Sequence, residues 1–196
     1  MEVSILDYGM GNIKSIINAL EYLDARPEVV DDPGDLDGER IIIPGVGAFG
    51  DAMKRLEFFR DKVRELGESG VPILGICLGL QVLFESSEEC PTAEGLGILG
   101  GRVVRVDTEL DLPHIGWNSL EILRRDSPLF KGVQNGYVYY ANSYHAEPEG
   151  DLKTALSEYG GEITASVQEG NIFGTQFHPE KSGELGLKIL ENFLEV

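Results

Sequence analysis

The sequence predicts an α/β fold: a mostly parallel central sheet with helices on both faces, and additional antiparallel strands in the second half. Three observations predict it. Short apolar runs alternate with helix-spaced stretches through the first 85 residues. Fully apolar runs of three or four residues between helices read as parallel strands covered on both faces. Glycine-bearing turns follow three of those runs, where ligands bind in such sheets. Beyond residue 100, strand-like runs follow one another with turn signals between them.

Val3-Ser-Ile-Leu reads as the first strand, and Asp7-Tyr-Gly-Met-Gly-Asn as a turn. Residues 13 to 23 carry apolar side chains at 13, 16, 17, 20 and 23, which is helical spacing. Pro27 stops that helix. Val29-Val30 is a short second strand, and residues 31 to 38 form a polar loop. Arg40-Ile-Ile-Ile is a buried strand ending at Pro44-Gly-Val-Gly. Residues 49 to about 66 are helical, in one piece or two. Ile73-Leu-Gly-Ile is the fourth strand, and a helix starts over residues 78 to 85. Further strands are expected at 101–106, 117–123, 137–140, 154–156, 164–168 and 172–177, with Gln134-Asn-Gly, Tyr159-Gly-Gly and Glu169-Gly-Asn as turns. Residues 183 to 196 close the chain as a helix. No repeat, low-complexity tract or linker divides the chain, so 1–196 is expected to be a single domain.

Composition narrows the function classes. A formal net charge of −18 repels phosphate backbones and argues against nucleic-acid binding. No apolar run approaches the roughly 20 residues of a membrane helix, and the acidic N-terminus has no signal-like basic region. Two cysteines make neither a disulfide framework nor a four-thiolate metal site, so no metal is expected and a reducing cytoplasm is the expected location. No turn has P-loop or dinucleotide-binding spacing, so no nucleotide cofactor is expected.

The chemistry concentrates at Gly75-Ile-Cys-Leu-Gly-Leu-Gln. A strand, then Gly-x-Cys-x-Gly, then a helix is the cysteine form of the nucleophile elbow. The glycines permit the tight turn and keep side chains away from the sulfur. The start of the following helix favours a thiolate, and the Leu78 N–H is a candidate oxyanion donor. A lone cysteine is more often a small buried apolar residue; the elbow context favours the nucleophile. Its base must come from His114, His145 or His178. His178 lies in Gln-Phe-His-Pro-Glu, where Glu180 two residues on can orient the ring. Cys77, His178 and Glu180 therefore have the residue types of a Cys–His–acid triad.

Gly75-Ile-Cys-Leu-Gly-Leu-Gln with His178-Pro-Glu180 resembles the class I (triad) glutamine amidotransferases. Asp7-Tyr-Gly-Met-Gly-Asn-Ile, Pro44-Gly-Val-Gly, Pro113-His-Ile-Gly-Trp-Asn and His178-Pro-Glu-Lys-Ser resemble, within that family, the glutaminase subunits of imidazole glycerol phosphate synthase, of histidine biosynthesis. The resemblance covers essentially the whole chain and implies a flavodoxin-like fold. It implies that Cys77 attacks the carboxamide of L-glutamine, that His178 moves the protons, and that Glu180 orients His178. It implies an oxyanion hole made by Leu78 and by the Gly45, Val46 and Gly47 loop, which reorients before its donor is in place. Gly47, Gln81, Glu89, Ser143 and Tyr144 match glutamine-holding positions. Asn12, Trp117, Tyr139 and Lys181 match the interface with the cyclase subunit, a β/α barrel that forms a heterodimer with the glutaminase and takes its ammonia. No cofactor is implied.

Three other readings stay open at this level: the same chemistry with another ammonia acceptor, a cysteine peptidase or stress-response protein on a related fold, and a binding module without activity. Those elbow-cysteine proteins do not use a distant His-Pro-Glu, and a pure binding module does not need all three of Cys77, His178 and Glu180.

Overall fold

The computed structural model describes all residues, Met1–Val196. The first half builds a parallel βαβ unit repeated outward. In chain order it contains β1 (Glu2–Leu6), α1 (Ile13–Tyr22), β2 (Arg26–Val30), β3 (Ile41–Ile43), α2 (Phe49–Leu56), α3 (Arg60–Glu68), β4 (Ile73–Ile76) and α4 (Leu78–Gln81). The second half adds β5 (Ser86–Ser87), β6 (Gly101–Arg105), β7 (His114–Ile122), β8 (Gly136–Asn142), β9 (Tyr144–Pro148), β10 (Lys153–Glu158), β11 (Glu162–Glu169) and β12 (Ile172–Thr175). Helix α5 (Gly183–Leu194) follows.

Nine strands form one sheet in the order β2-β1-β3-β4-β12-β11-β10-β7-β8. From β2 to β12 every pairing is parallel; from β12 to β8 every pairing is antiparallel. β12 is thus the hinge between the two halves. It runs beside β4 with Gly174 opposite Gly75 and Thr175 opposite Ile76. β5, β6 and β9 make a separate small sheet.

Strand alternation explains the two-sided core. In β3, Ile42 packs with Val3, Ile5, Leu74, Ile76 and Phe173 under α1 and α5. Ile41 and Ile43 point the other way, with Ile73, under α2 and α3. All of these are essentially fully buried. Three adjacent isoleucines serve two cores because successive side chains in a strand leave on opposite faces.

Several expectations needed adjustment. Helix α1 ends before Pro27 matters: Asp24 turns the chain with φ +56°. Pro27 instead sits inside β2, opposite Val3. β2 is an edge strand, so the missing N–H removes no ladder bond. The helical stretch after residue 48 is indeed broken, with a 3-10 turn at Glu57–Phe59 between α2 and α3. The helix after Cys77 is one turn long, not two. Tyr144–Pro148 is a strand paired with β6, although its sequence has no strand pattern. No helix is long and apolar enough to cross a membrane.

Candidate active site

The carboxyl ends of β1, β3 and β4 meet at one place. The Tyr8 hydroxyl donates to the Pro44 carbonyl at 2.5 Å, tying the first turn to the third strand's turn. Burial, reinforced by the neighbouring Cys77, pushes the Tyr8 hydroxyl well above its usual range, so it stays a neutral donor. A Cβ on Gly45 would come 2.7 Å from the Cβ of Leu78 and from the Tyr8 hydroxyl. A Cβ on Gly79 would be driven into the carbonyl of Ile43. These glycines are there because β3 and α4 approach backbone to backbone.

Cys77 sits at the resulting elbow with φ +56° and ψ −108°. Only glycine adopts a positive φ freely; a cysteine there carries strain of about 1–3 kcal/mol. The surroundings hold it. Its N–H donates to Thr175 O at 2.7 Å, continuing the β4–β12 pairing by one residue. Its side chain is buried, with the sulfur 3.9 Å from Ala141 O and 3.6 Å from Gln176 Nε2, which donates to it. Because α4 spans four residues, little macrodipole acts on the sulfur. What α4 offers is local: Leu78 is its first residue, so the Leu78 N–H has no acceptor inside the helix.

His178 lies just beyond β12, anchored by its N–H to Tyr139 O at 2.9 Å. Its Nδ1 is 2.9 Å from Glu180 Oε1, and both side chains are buried. Donation to a carboxylate fixes the proton on Nδ1 in the neutral ring and leaves Nε2 as the reactive nitrogen. Nε2 is buried and has no partner of full hydrogen-bond geometry. Burial works against a charge on this ring and is the largest single influence; Cys77 and Glu180 together outweigh it and hold the His178 pKa up at about 9. The arrangement therefore favours a charged imidazolium at His178, between Cys77 and Glu180. His114 and His145 are shifted the other way, in both cases mainly by burial, and stay neutral.

A cavity of about 280 Å³ opens over the sulfur. Its wall is made by Val46, Gly47, Cys77, Leu78, Gln81, Glu89, Pro113, Ala141, Asn142, Ser143 and Tyr144. That size suits an amino acid better than a nucleotide. All five residues expected to hold glutamine line it, as do Leu78 and two of the three loop residues. Gly45 is buried, and the buried His178–Glu180 pair neighbours Cys77, which helps to raise the His178 pKa. Glu89 has a second attachment: Oε2 accepts from the Phe49 N–H at 2.8 Å, at the first residue of α2. Gly47, two residues earlier, has φ +109°. The carboxylate in the cavity and the mobile-peptide candidate are thus joined through one helix start. A larger hollow of about 440 Å³ elsewhere carries Glu121, Glu158 and Glu162 but no cysteine, histidine or cation.

Trp117, Tyr139 and Lys181 form one outward patch. Trp117 is 57% exposed and meets Tyr139 edge-on at 6.2 Å between ring centroids. Lys181 Nζ lies 5.8 Å above the Tyr139 ring. Asn12 is exposed at the start of α1, which packs beside the turn holding Lys181. Residues of the site not singled out from the sequence are Tyr8, Pro113, Ala141, Asn142 and Gln176. A signal existed for Gln176, an amide that with Thr175 interrupts the apolar Ile172 to Phe177 run. No three His, Cys, Asp or Glu side chains converge where a metal ion could sit.

The profile of the family described as glutamine amidotransferase class-I matches residues 4–196. The chain belongs to that family. Among its curated relatives, imidazole glycerol phosphate synthase subunit HisH of Methanothermobacter thermautotrophicus is 47% identical over 195 residues, covering 99% of this chain and 98% of the relative. The protein of that name from Bacillus cereus is 46% identical over 196 residues, covering 97% and 93%. Among solved structures, a glutamine amidotransferase crystal structure aligns with a TM-score of 0.79 at 23% identity, over 98% of this chain and 97% of that one. PurLQS from Thermotoga maritima aligns with a TM-score of 0.78 at 22% identity, over 99% and 97%. At those identities the structures establish that the amidotransferase shares their fold.

Proposed function

We propose that the chain, acting as one amidotransferase domain over residues 1–196, is the glutaminase subunit of an imidazole glycerol phosphate synthase. The observation that carries the reading is the strained Cys77, opening on an amino-acid-sized cavity in a chain 47% identical to a relative of that name. The Cys77 thiolate attacks the carboxamide carbon of glutamine. The oxyanion is held by the Leu78 N–H and by a peptide N–H of the Gly45-Val46-Gly47 loop. His178, protonated, gives its proton to the nitrogen as the C–N bond breaks and ammonia leaves. It then takes a proton from the water that hydrolyses the thioester, which releases glutamate and restores the thiolate. Glu180 keeps the ring aligned throughout. Glu89 receives the substrate ammonium, and Gln81, Ser143, Tyr144 and Gly47 complete the pocket.

The ammonia passes to a cyclase subunit, a β/α barrel, which makes imidazole glycerol phosphate and an aminoimidazole ribonucleotide in histidine biosynthesis. The docking face is Asn12, Trp117, Tyr139 and Lys181, and the heterodimer works in the cytoplasm. An exposed tryptophan and a tyrosine are types that anchor such interfaces, and Lys181 offers a charge for a partner carboxylate.

Glutamate release by the purified chain, alone and with the cyclase subunit and its ribonucleotide ligand, tests this. Release that rises strongly only in the full mixture is expected; a chain equally active alone contradicts the gated loop, and a chain inert in every mixture contradicts the reading. In the same assay Lys181→Ala is expected to lower partner-stimulated release more than basal release. Equal losses would remove Lys181 from the interface.

The pH profile tests the base. The proton given to ammonia comes from His178, so turnover falls as pH rises through about 9. Glu180→Gln removes one of the influences that raise this pKa, so the alkaline limb moves to lower pH. The rate falls by roughly 10²–10⁴-fold as the ring loses its orientation. An alkaline limb that stays in place would separate Glu180 from His178.

A further inference from the structure

We infer that Gln176 is a fourth catalytic residue of this site, one that donates a hydrogen bond to the Cys77 sulfur and stabilises it as a thiolate. The inference rests on the glutaminase reading above. Gln176 is fully buried at the end of β12, two residues before His178. Its N–H continues the sheet to Ala165 O at 2.8 Å, so the backbone fixes where its side chain begins.

The direction of the hydrogen bonds follows from a carbonyl. Tyr144 O can only accept, and it takes Gln81 Nε2 at 2.9 Å. That sets which end of the Gln81 amide is nitrogen. The second Nε2 proton goes to Gln176 Oε1 at 3.0 Å. With its oxygen committed there, Gln176 must present Nε2 to the sulfur, 3.6 Å away. Gln81 Nε2 thus donates both to the cavity wall and to Gln176, and from Gln81 onward each amide donates toward the nucleophile. A glutamine serving only to fill space or satisfy its own donors would need no such alignment. A neutral sulfur is a poor acceptor, whereas a thiolate is a strong one.

The charge on sulfur is consumed when the S–C bond forms and returns when water cleaves the thioester. Gln176 therefore assists the steps in which thiolate is present, above all its departure from the second tetrahedral intermediate. Gln81, which faces substrate, sets the donor that faces the nucleophile.

The test is alkylation of Cys77 by iodoacetamide as a function of pH, in the full chain carrying Cys90→Ser. Gln176→Leu removes the donor at similar size, and Gln176→Asn keeps an amide that is too short to reach. Both are expected to move the midpoint of alkylation up by about one pH unit. Both are expected to slow glutamine turnover with the partner roughly tenfold to a hundredfold. Circular dichroism and partner binding establish which variants fold. An unmoved midpoint in either folded variant overturns the proposal, including when turnover falls, because packing alone then explains the loss. Alkylation needs no glutamine, so a wild-type chain inert toward glutamine would sink the glutaminase reading without bearing on the sulfur contact.

Discussion

Cys77→Ser is expected to abolish glutamine hydrolysis, by about four orders of magnitude or more, while synthesis from added ammonium salts persists in the complex. The substitution changes one atom and no backbone requirement. Serine, like cysteine, must accept φ +56° at the elbow, and the N–H to Thr175 O remains. What changes is the nucleophile. A serine hydroxyl is far harder to ionise than a thiol, so the His178–Glu180 pair is left with a much poorer nucleophile. The Gln176 donor is likewise directed at a soft, charged sulfur. Synthesis from ammonium bypasses the elbow, so it isolates the partner's half of the reaction. Loss of both activities would mean that Cys77 supports the complex rather than the chemistry.

Gly79→Ala is expected to be the most damaging single methyl in the chain, costing more than about 4 kcal/mol or preventing folding altogether. The added carbon would enter the space of Ile43 O, with Ile43 C at 2.7 Å and Pro44 C at 3.2 Å. All three are backbone atoms at the end of a buried strand, so no side chain can rotate away. Relief requires β3 and α4 to separate, which pulls the Gly45 loop off Tyr8 and releases Cys77 from its elbow. Gly100→Ala is the control, since its nearest neighbours lie 3.7 Å away on the Glu149 side chain. It is expected to shift stability by no more than about 0.5 kcal/mol. Chemical denaturation of the two variants settles the contrast; similar midpoints would show that the strand end gives way readily.

The parallel half of the sheet was legible because its signals are local. Ile41-Ile-Ile and Ile73-Leu-Gly-Ile are too apolar for anything but a buried element, and glycine turns mark their ends. The candidate triad could be picked out for the same reason: Gly-x-Cys-x-Gly and His-Pro-Glu are compact motifs whose residue types suit that chemistry. Tyr144-His-Ala-Glu-Pro was not, because it is a strand by virtue of pairing with residues 101–105 alone. Edge strand β2 began earlier than expected because the open side of an edge tolerates Pro27. Asn142 and Gln176 were missed because an amide has no fixed role. Asn142 donates to Tyr144 O nearby, but the contacts of Gln176 lie at Gln81 and Cys77, more than 90 residues away in sequence. Such roles emerge only from the fold.

β12 pairs with β4 about 100 residues after β4 is made. A ribosome adding 5–20 residues per second therefore leaves Ile73-Leu-Gly-Ile without its second neighbour for about 5–20 s. During that interval a strand destined for the centre of the sheet is an apolar free edge, the kind of surface through which nascent chains aggregate. The thiol beside it is at the same time an ordinary cysteine, since Thr175, Gln176 and His178 have not yet been synthesised. Reactivity and sheet closure arrive together, so an unfinished chain is sticky but chemically quiet.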